Sequence, residues 1–167
     1  MAATCTSTFT TTIAIDLAGR DLYYNPRRIA GGDAMLDFEY TVTTKKSFDE
    51  AVQAVQAVAA AKGFRVLHIH DVKATLEEKG FHRDPLKIIE VCNAKFAHAA
   101  LKADVKIALM LPCPIAVYVQ AGETRICTMR PKTLVQFYPK AEIEGLAQEV
   151  DDFIVGIVKS AAGSEGA

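Results

Sequence analysis

Ile115-Ala116-Val117-Tyr118-Val119-Gln120-Ala121-Gly122-Glu123-Thr124-Arg125-Ile126-Cys127-Thr128-Met129 is the stretch whose reading decides the fold. Two runs rich in β-branched and aromatic residues flank Ala121-Gly122-Glu123, a turn that a hairpin can use. A hairpin of this kind makes its two strands antiparallel neighbours, so at least part of the sheet is antiparallel.

Upstream, Leu36, Phe38, Tyr40 and Val42 alternate with Asp37, Glu39 and Thr41, the period of a half-buried strand. Ser47-Phe48-Asp49-Glu50 reads as a capping box opening a helix with Ala51, Val52, Val55, Val58 and Ala59 on one stripe. Gly63 ends that helix as a left-handed residue, with Phe64 supplying the accompanying apolar contact. Phe64–Val72 predicts a strand with Leu67 and Ile69 on one face and Val66, His68 and His70 on the other. A short helix over Ala74–Lys79, a strand over Leu86–Cys92 and a helix capped by Asn93 and running to about Ala103 follow. Lys106–Leu111 predicts a further strand, and Thr133–Tyr138 a helical turn. From Lys140 onward, Ile143, Leu146, Ala147, Val150, Phe153, Ile154, Ile157 and Val158 recur at helical spacing.

Strands outnumber helices, and the two long helices must cover one sheet face. The expected fold is α+β: a two-layer sandwich, a curved, mainly antiparallel sheet with two long helices on one face. Residues 1–33, rich in hydroxyl side chains and turn formers, read as an N-terminal extension, partly ordered or with an edge strand near Thr8–Ile15. Residues 34–162 read as a single domain and 163–167 as a frayed tail.

The chain has 167 residues, half of them apolar, with 19 basic against 20 acidic side chains. That length buries a core without disulfide or metal staples. A net charge of −1 argues against a nucleic-acid partner, which calls for a basic excess. No apolar run approaches the roughly 20 residues of a membrane span, and the first residues lack the pattern of a secretory signal. A cytoplasmic location with no membrane partner is the expectation, and cysteines there stay reduced. Cys5, Cys92, Cys113 and Cys127 show no paired CxxC spacing. The phosphate-binding loop, the Gly-x-Ser-x-Gly elbow and the His-Glu-x-x-His zinc helix are also absent from the sequence.

Two cysteines draw attention. Cys92 precedes the helix cap Asn93, where unpaired amides and the helix dipole favour a thiolate. Cys113 lies between Pro112 and Pro114, neither of which donates to a ladder, so a bent or edge strand that presents the sulfur is expected. If their strands are neighbours, both sulfurs converge on one ligand, with Asn93 and His98 as further binding candidates. The plain alternative is that each thiol is a small apolar core group; a redox disulfide is the third, and needs the two Cα atoms within about 7 Å. His68 and His70, two apart on one strand, point the same way and form a metal-ligand pair, or simply a polar outer face. The metal candidates are therefore Cys92, Cys113, His68 and His70. Cys-Pro dipeptides also serve as thiolate ligands to haem.

Ser47-Phe48-Asp49-Glu50-Ala51-Val52, Gly63-Phe64, Asp71-Val72-Lys73-Ala74-Thr75-Leu76, Cys92-Asn93 and Leu111-Pro112-Cys113 before Val117-Tyr118 together resemble the domain-of-unknown-function 302 family. The resemblance spans roughly residues 36–160. It implies a fold of the TATA-binding-protein-like class, with helices on one face of a curved antiparallel sheet, and homodimers. Ala94 stands where that family usually has proline after Cys-Asn, and residues 1–33 lie outside the match. The resemblance implies no particular activity. Three functions remain open: a small homodimeric binding protein whose cysteine-lined pocket holds a metal, haem or small molecule; a thiol-dependent enzyme or sulfur carrier using Cys92; and a structural module without chemistry.

Overall fold

The capping box is present in full: the Glu50 amide donates to Ser47 Oγ, and the Ser47 amide donates to Glu50 Oε2 at 2.8 Å. It opens α1, Phe48–Ala61, in a computed structural model that describes residues 37–139 and 141–163. Gly63 (φ +77°) closes the helix. Its amide donates to the Ala60 carbonyl and that of Phe64 to the Ala59 carbonyl, the pair of bonds that satisfies a helix C-terminus. The expectations for residues 1–33 and for 164–167 fall on residues outside those described.

Among the described residues five strands follow the alternating patterns: β1 Glu39–Thr44, β2 Arg65–Asp71, β3 Leu86–Cys92, β4 Cys113–Gln120 and β5 Glu123–Met129. They form one sheet in the order β1-β5-β4-β3-β2, antiparallel throughout. The helices are α1, α2 (Val72–Glu77), α3 (Ala94–Ala103) and α4 (Glu144–Ala162). The main core lies between α1, α4 and one sheet face. Ile89, Val91, Ile115, Val117 and Ile126 of the sheet meet Val55 of α1 and Ile154, Ile157 and Val158 of α4, all fully buried. The two-layer α+β expectation is met.

Two local expectations fail. Lys106–Leu111 is not a strand: Val105–Met110 is a 3-10 turn, begun by Asp104, whose Oδ1 accepts from the Lys106 amide at 2.8 Å. At three residues per turn, Ile107 and Met110 fall on one inward stripe; a five-residue apolar run does not by itself separate this from a strand. On β2 the pairing with β3 slips between Val66 and His68. The irregularity puts Val66 with Ile69 against the core and leaves Leu67 exposed, reversing the expected placement of Val66 and Leu67.

Arg130, just after β5, is bound to α4. Its guanidinium donates to both carboxylate oxygens of the fully buried Asp151, and also to Asp37 at 2.9 Å. The Arg130 amide donates to the Phe38 carbonyl at 2.7 Å. One residue thereby ties the start of β1, the end of β5 and α4 together.

Candidate functional site

The end of β3 and the start of β4 meet beneath α3. Val91 is the Cα partner of Cys113 across the β3–β4 ladder, and Cys92 is the next residue. Strand alternation places Cys92 in the outward row of Leu86, Ile88 and Glu90. At the strand's last position, where the chain turns into α3, Cys92 nevertheless borders the same pocket as Cys113.

Asn93 makes that turn. Its Oδ1 accepts from the amides of Lys95 (3.0 Å) and Phe96 (3.4 Å), capping α3, while Nδ2 donates to the Gly63 carbonyl at 3.0 Å. Both ends of the amide are occupied, so Asn93 shapes the site. Phe96 of α3 then reaches Phe64 and Phe153, with ring centroids 6.1 and 5.5 Å away, and Phe64 lies 5.9 Å from Phe153. This aromatic trio fastens α3 to the end of α1 and to α4. No residue of α3 is fully buried, which makes it the most lightly packed wall of the pocket.

The pocket is a cavity of about 50 Å³. Phe96, Ala97 and Ala100 of α3 form one side, Leu146 and Val150 of α4 another, and Ile107 and Met110 of the 3-10 turn a third. Among the described residues 17 line it, and of these Asn93 alone carries a side-chain nitrogen or oxygen. Four others carry sulfur: Cys92, Cys113, Met110 and Met129.

The thiols are not activated. Burial pushes the Cys92 thiol above its ordinary 9.0, against the lowering expected from the helix terminus, because loss of solvent outweighs the amides that Asn93 already caps. Cys113 is 8% exposed. Burial, with a further contribution from the Cys92 charge, takes its thiol to about 12. The prolines do not bring Cys113 to an edge or present its sulfur: β4 is the central strand, and Pro114 occupies its second position with its carbonyl accepting from Thr128 Oγ1 at 2.8 Å.

The other candidates lie elsewhere. His98 is exposed on α3 and does not line the pocket. His68 and His70 share the outer face of β2 with ring centroids 4.3 Å apart, and His70 Nε2 lies 3.0 Å from Glu90 Oε1. Among the described residues no group of three His, Cys, Asp or Glu side chains is placed to hold a metal ion. Haem does not fit the cavity: sites for drug-sized ligands occupy about 300–1,000 Å³, against about 50 Å³ here. No described helix is long and apolar enough to cross a membrane.

Sequence reasoning missed the pocket's apolar walls. The spacing of Met110 and Leu111 predicts a strand, and nothing in it links them to Leu146 and Val150. It also missed the pairing of Arg130 with Asp151, although an acid amid the apolar stripe Ala147, Val150 and Ile154 is a readable signal.

No curated protein matches the chain. Among solved structures, the crystal structure of an uncharacterized conserved protein DUF302 from Bacillus stearothermophilus is similar, with a TM-score of 0.71 and 26% sequence identity. The match covers 76% of this chain and 99% of that one. The family described as Domain of unknown function DUF302 matches residues 40–161, and the chain belongs to that family.

Proposed function

We propose that the chain is a small binding protein whose pocket takes an aliphatic chain, with Cys92 and Cys113 in the wall as unionised, polarisable contacts. The observation that carries this is the lining: among the described residues, 17 side chains with one amide, itself fully engaged. Such a surface offers nothing to a phosphate or carboxylate and much to a hydrocarbon. Size narrows the ligand further. An apolar cavity of about 150 Å³ accepts benzene, so about 50 Å³ suits a narrow alkyl segment better than a ring. Catalysis by a Cys92 thiolate is disfavoured, since burial keeps that thiol protonated at neutral pH.

The test is a titration with 1-hexanol, whose alkyl end is narrow and uncharged, followed by saturation-transfer NMR of its terminal methyl group. Saturable binding by the wild type, lost in Ala97→Leu, which fills the cavity from α3, is the expected result. Absence of saturable binding, or equal binding by Ala97→Leu, overturns the reading.

The four sulfur-bearing side chains favour one second reading, a soft cation such as Cu(I), since thiolate and thioether ligands select it. Stoichiometric Cu(I) uptake abolished in Cys92→Ala/Cys113→Ala supports it; uptake unchanged in that variant removes it.

The protein also acts, on this reading, as a homodimer, as its family resemblance implies. Support comes from the outer sheet face, where Ile88, Ala116 and Tyr118 are half-buried while the core formed with α1 and α4 lies on the opposite face. Light scattering on wild type and Ala116→Arg distinguishes a dimer through this face, which the arginine disrupts, from a monomer.

A further inference from the structure

The 3-10 turn that walls the pocket has two characters. With three residues per turn, Ile107 and Met110 share the inward stripe, Val105 and Ala108 a second, and Lys106 and Leu109 a third. Burial follows that division: Ile107 is 1% exposed, whereas Val105 is 71% and Leu109 82% exposed. These are the two most exposed large apolar side chains among the described residues, four positions apart on one turn. Leu101, on the preceding α3, and Phe137 are also exposed. Phe137 precedes Tyr138, whose hydroxyl donates to the Lys106 carbonyl at 2.9 Å. Isolated exposed leucines are ordinary on a protein surface; several on one turn and its immediate neighbours are not.

Charge says what covers them. From Asn93 to Leu111 the chain carries Lys95, Lys102 and Lys106 against a single acid, Asp104, in a protein whose overall charge is −1. Lys102 and Lys106 are exposed, and Asp104 is engaged in capping the turn. Protruding apolar side chains interleaved with lysines match the boundary of an anionic bilayer, where acyl chains take the former and headgroups attract the latter. We infer that the outer surface of α3 and the Val105–Met110 turn docks on anionic lipid membranes. The same turn lines the pocket with Ile107 and Met110, so a docked protein holds that wall against the bilayer. The lack of a long apolar run in the sequence predicts no membrane partner; a surface-lying turn needs no such run.

Flotation of the full-length chain with vesicles tests this, independently of pocket occupancy, which the hexanol titration reads in solution. The wild type is expected to float with mixed phosphatidylcholine–phosphatidylglycerol vesicles, more weakly as salt rises, and poorly with phosphatidylcholine alone. Val105→Asp/Leu109→Asp and Lys102→Glu/Lys106→Glu should each weaken binding by about tenfold or more, with circular dichroism unchanged because all four side chains are exposed. No flotation of the wild type, or flotation unaffected by both variants, overturns the inference. So does a concentration-dependent dimer that Val105→Asp/Leu109→Asp dissociates without any wild-type flotation, which assigns the surface to a second copy instead.

Discussion

Asp151, fully buried on α4, receives Nε and Nη2 of Arg130, the latter at 2.6 Å on Oδ2. The Arg130 side chain is only 16% exposed, and hydrogen bonds to the carboxylate raise its pKa further above the ordinary value. A carboxylate with no solvent contact is tolerable because its partner donates to both of its oxygens. Arg130→Met removes that partner and leaves the acid uncompensated, at a cost of about 3–5 kcal/mol. Replacing both residues with apolar ones, Arg130→Met/Asp151→Leu, should restore much of that loss. Urea unfolding of the three proteins checks this; a single variant within about 1 kcal/mol of wild type contradicts the staple role.

Asn93 joins the end of β3, the start of α3 and the Gly63 turn. Asn93→Ala removes two cap bonds and the bond to the Gly63 carbonyl, and should cost about 1–2 kcal/mol. Asn93→Asp keeps the acceptor for the cap but turns an oxygen toward the Gly63 carbonyl, so it should recover only part of the loss. Equal stability of wild type and Asn93→Ala in urea unfolding would show that the bridge contributes nothing.

Much of this architecture was legible in local chemistry. The Ser47–Glu50 box, the Gly63 stop, the Asn93 cap and the Ala121–Gly122 turn are short-range devices, and each sits where its residues predicted. Long-range geometry was not legible. Lys106–Leu111 reads as a strand until Asp104 is seen to cap the 3-10 turn Val105–Met110, and Leu67 reads as core until the β2–β3 pairing slips. The same division runs through the site. Cys92, Cys113 and Asn93 could be singled out from their neighbours in sequence, and they line one pocket. That burial would keep both thiols protonated depended on Phe64, Phe96, Leu146 and Val150, which lie far apart along the chain.

Alkaline pH should destabilise the protein through Cys113. Its thiol moves from 9.0 to about 12 on folding. As pH rises past 9.0 the unfolded chain loses this proton while the folded chain keeps it, so the unfolded state binds fewer protons and stability falls until about pH 12. Within that window the slope from this group reaches about 1.4 kcal/mol per pH unit. Unfolding midpoints across the window for wild type and Cys113→Val isolate it: the variant's profile should be flatter. Parallel profiles contradict the burial.

Thiol modification should follow exposure. Cys92 is half-exposed and Cys113 buried, with the higher pKa. At neutral pH iodoacetamide should modify Cys92 slowly and Cys113 only on unfolding, as mass spectrometry of the peptides reads directly. Rapid modification of Cys92 would instead mark an activated thiolate and favour the enzymatic reading.

Met110 and Met129 both line the pocket and so report directly on an alkyl chain held in it. Their methyl signals, followed by carbon-13 NMR during a 1-hexanol titration, should move together and saturably in the wild type and stay still in Ala97→Leu. Signals that never move in the wild type, or that move equally in the filled variant, contradict the assignment.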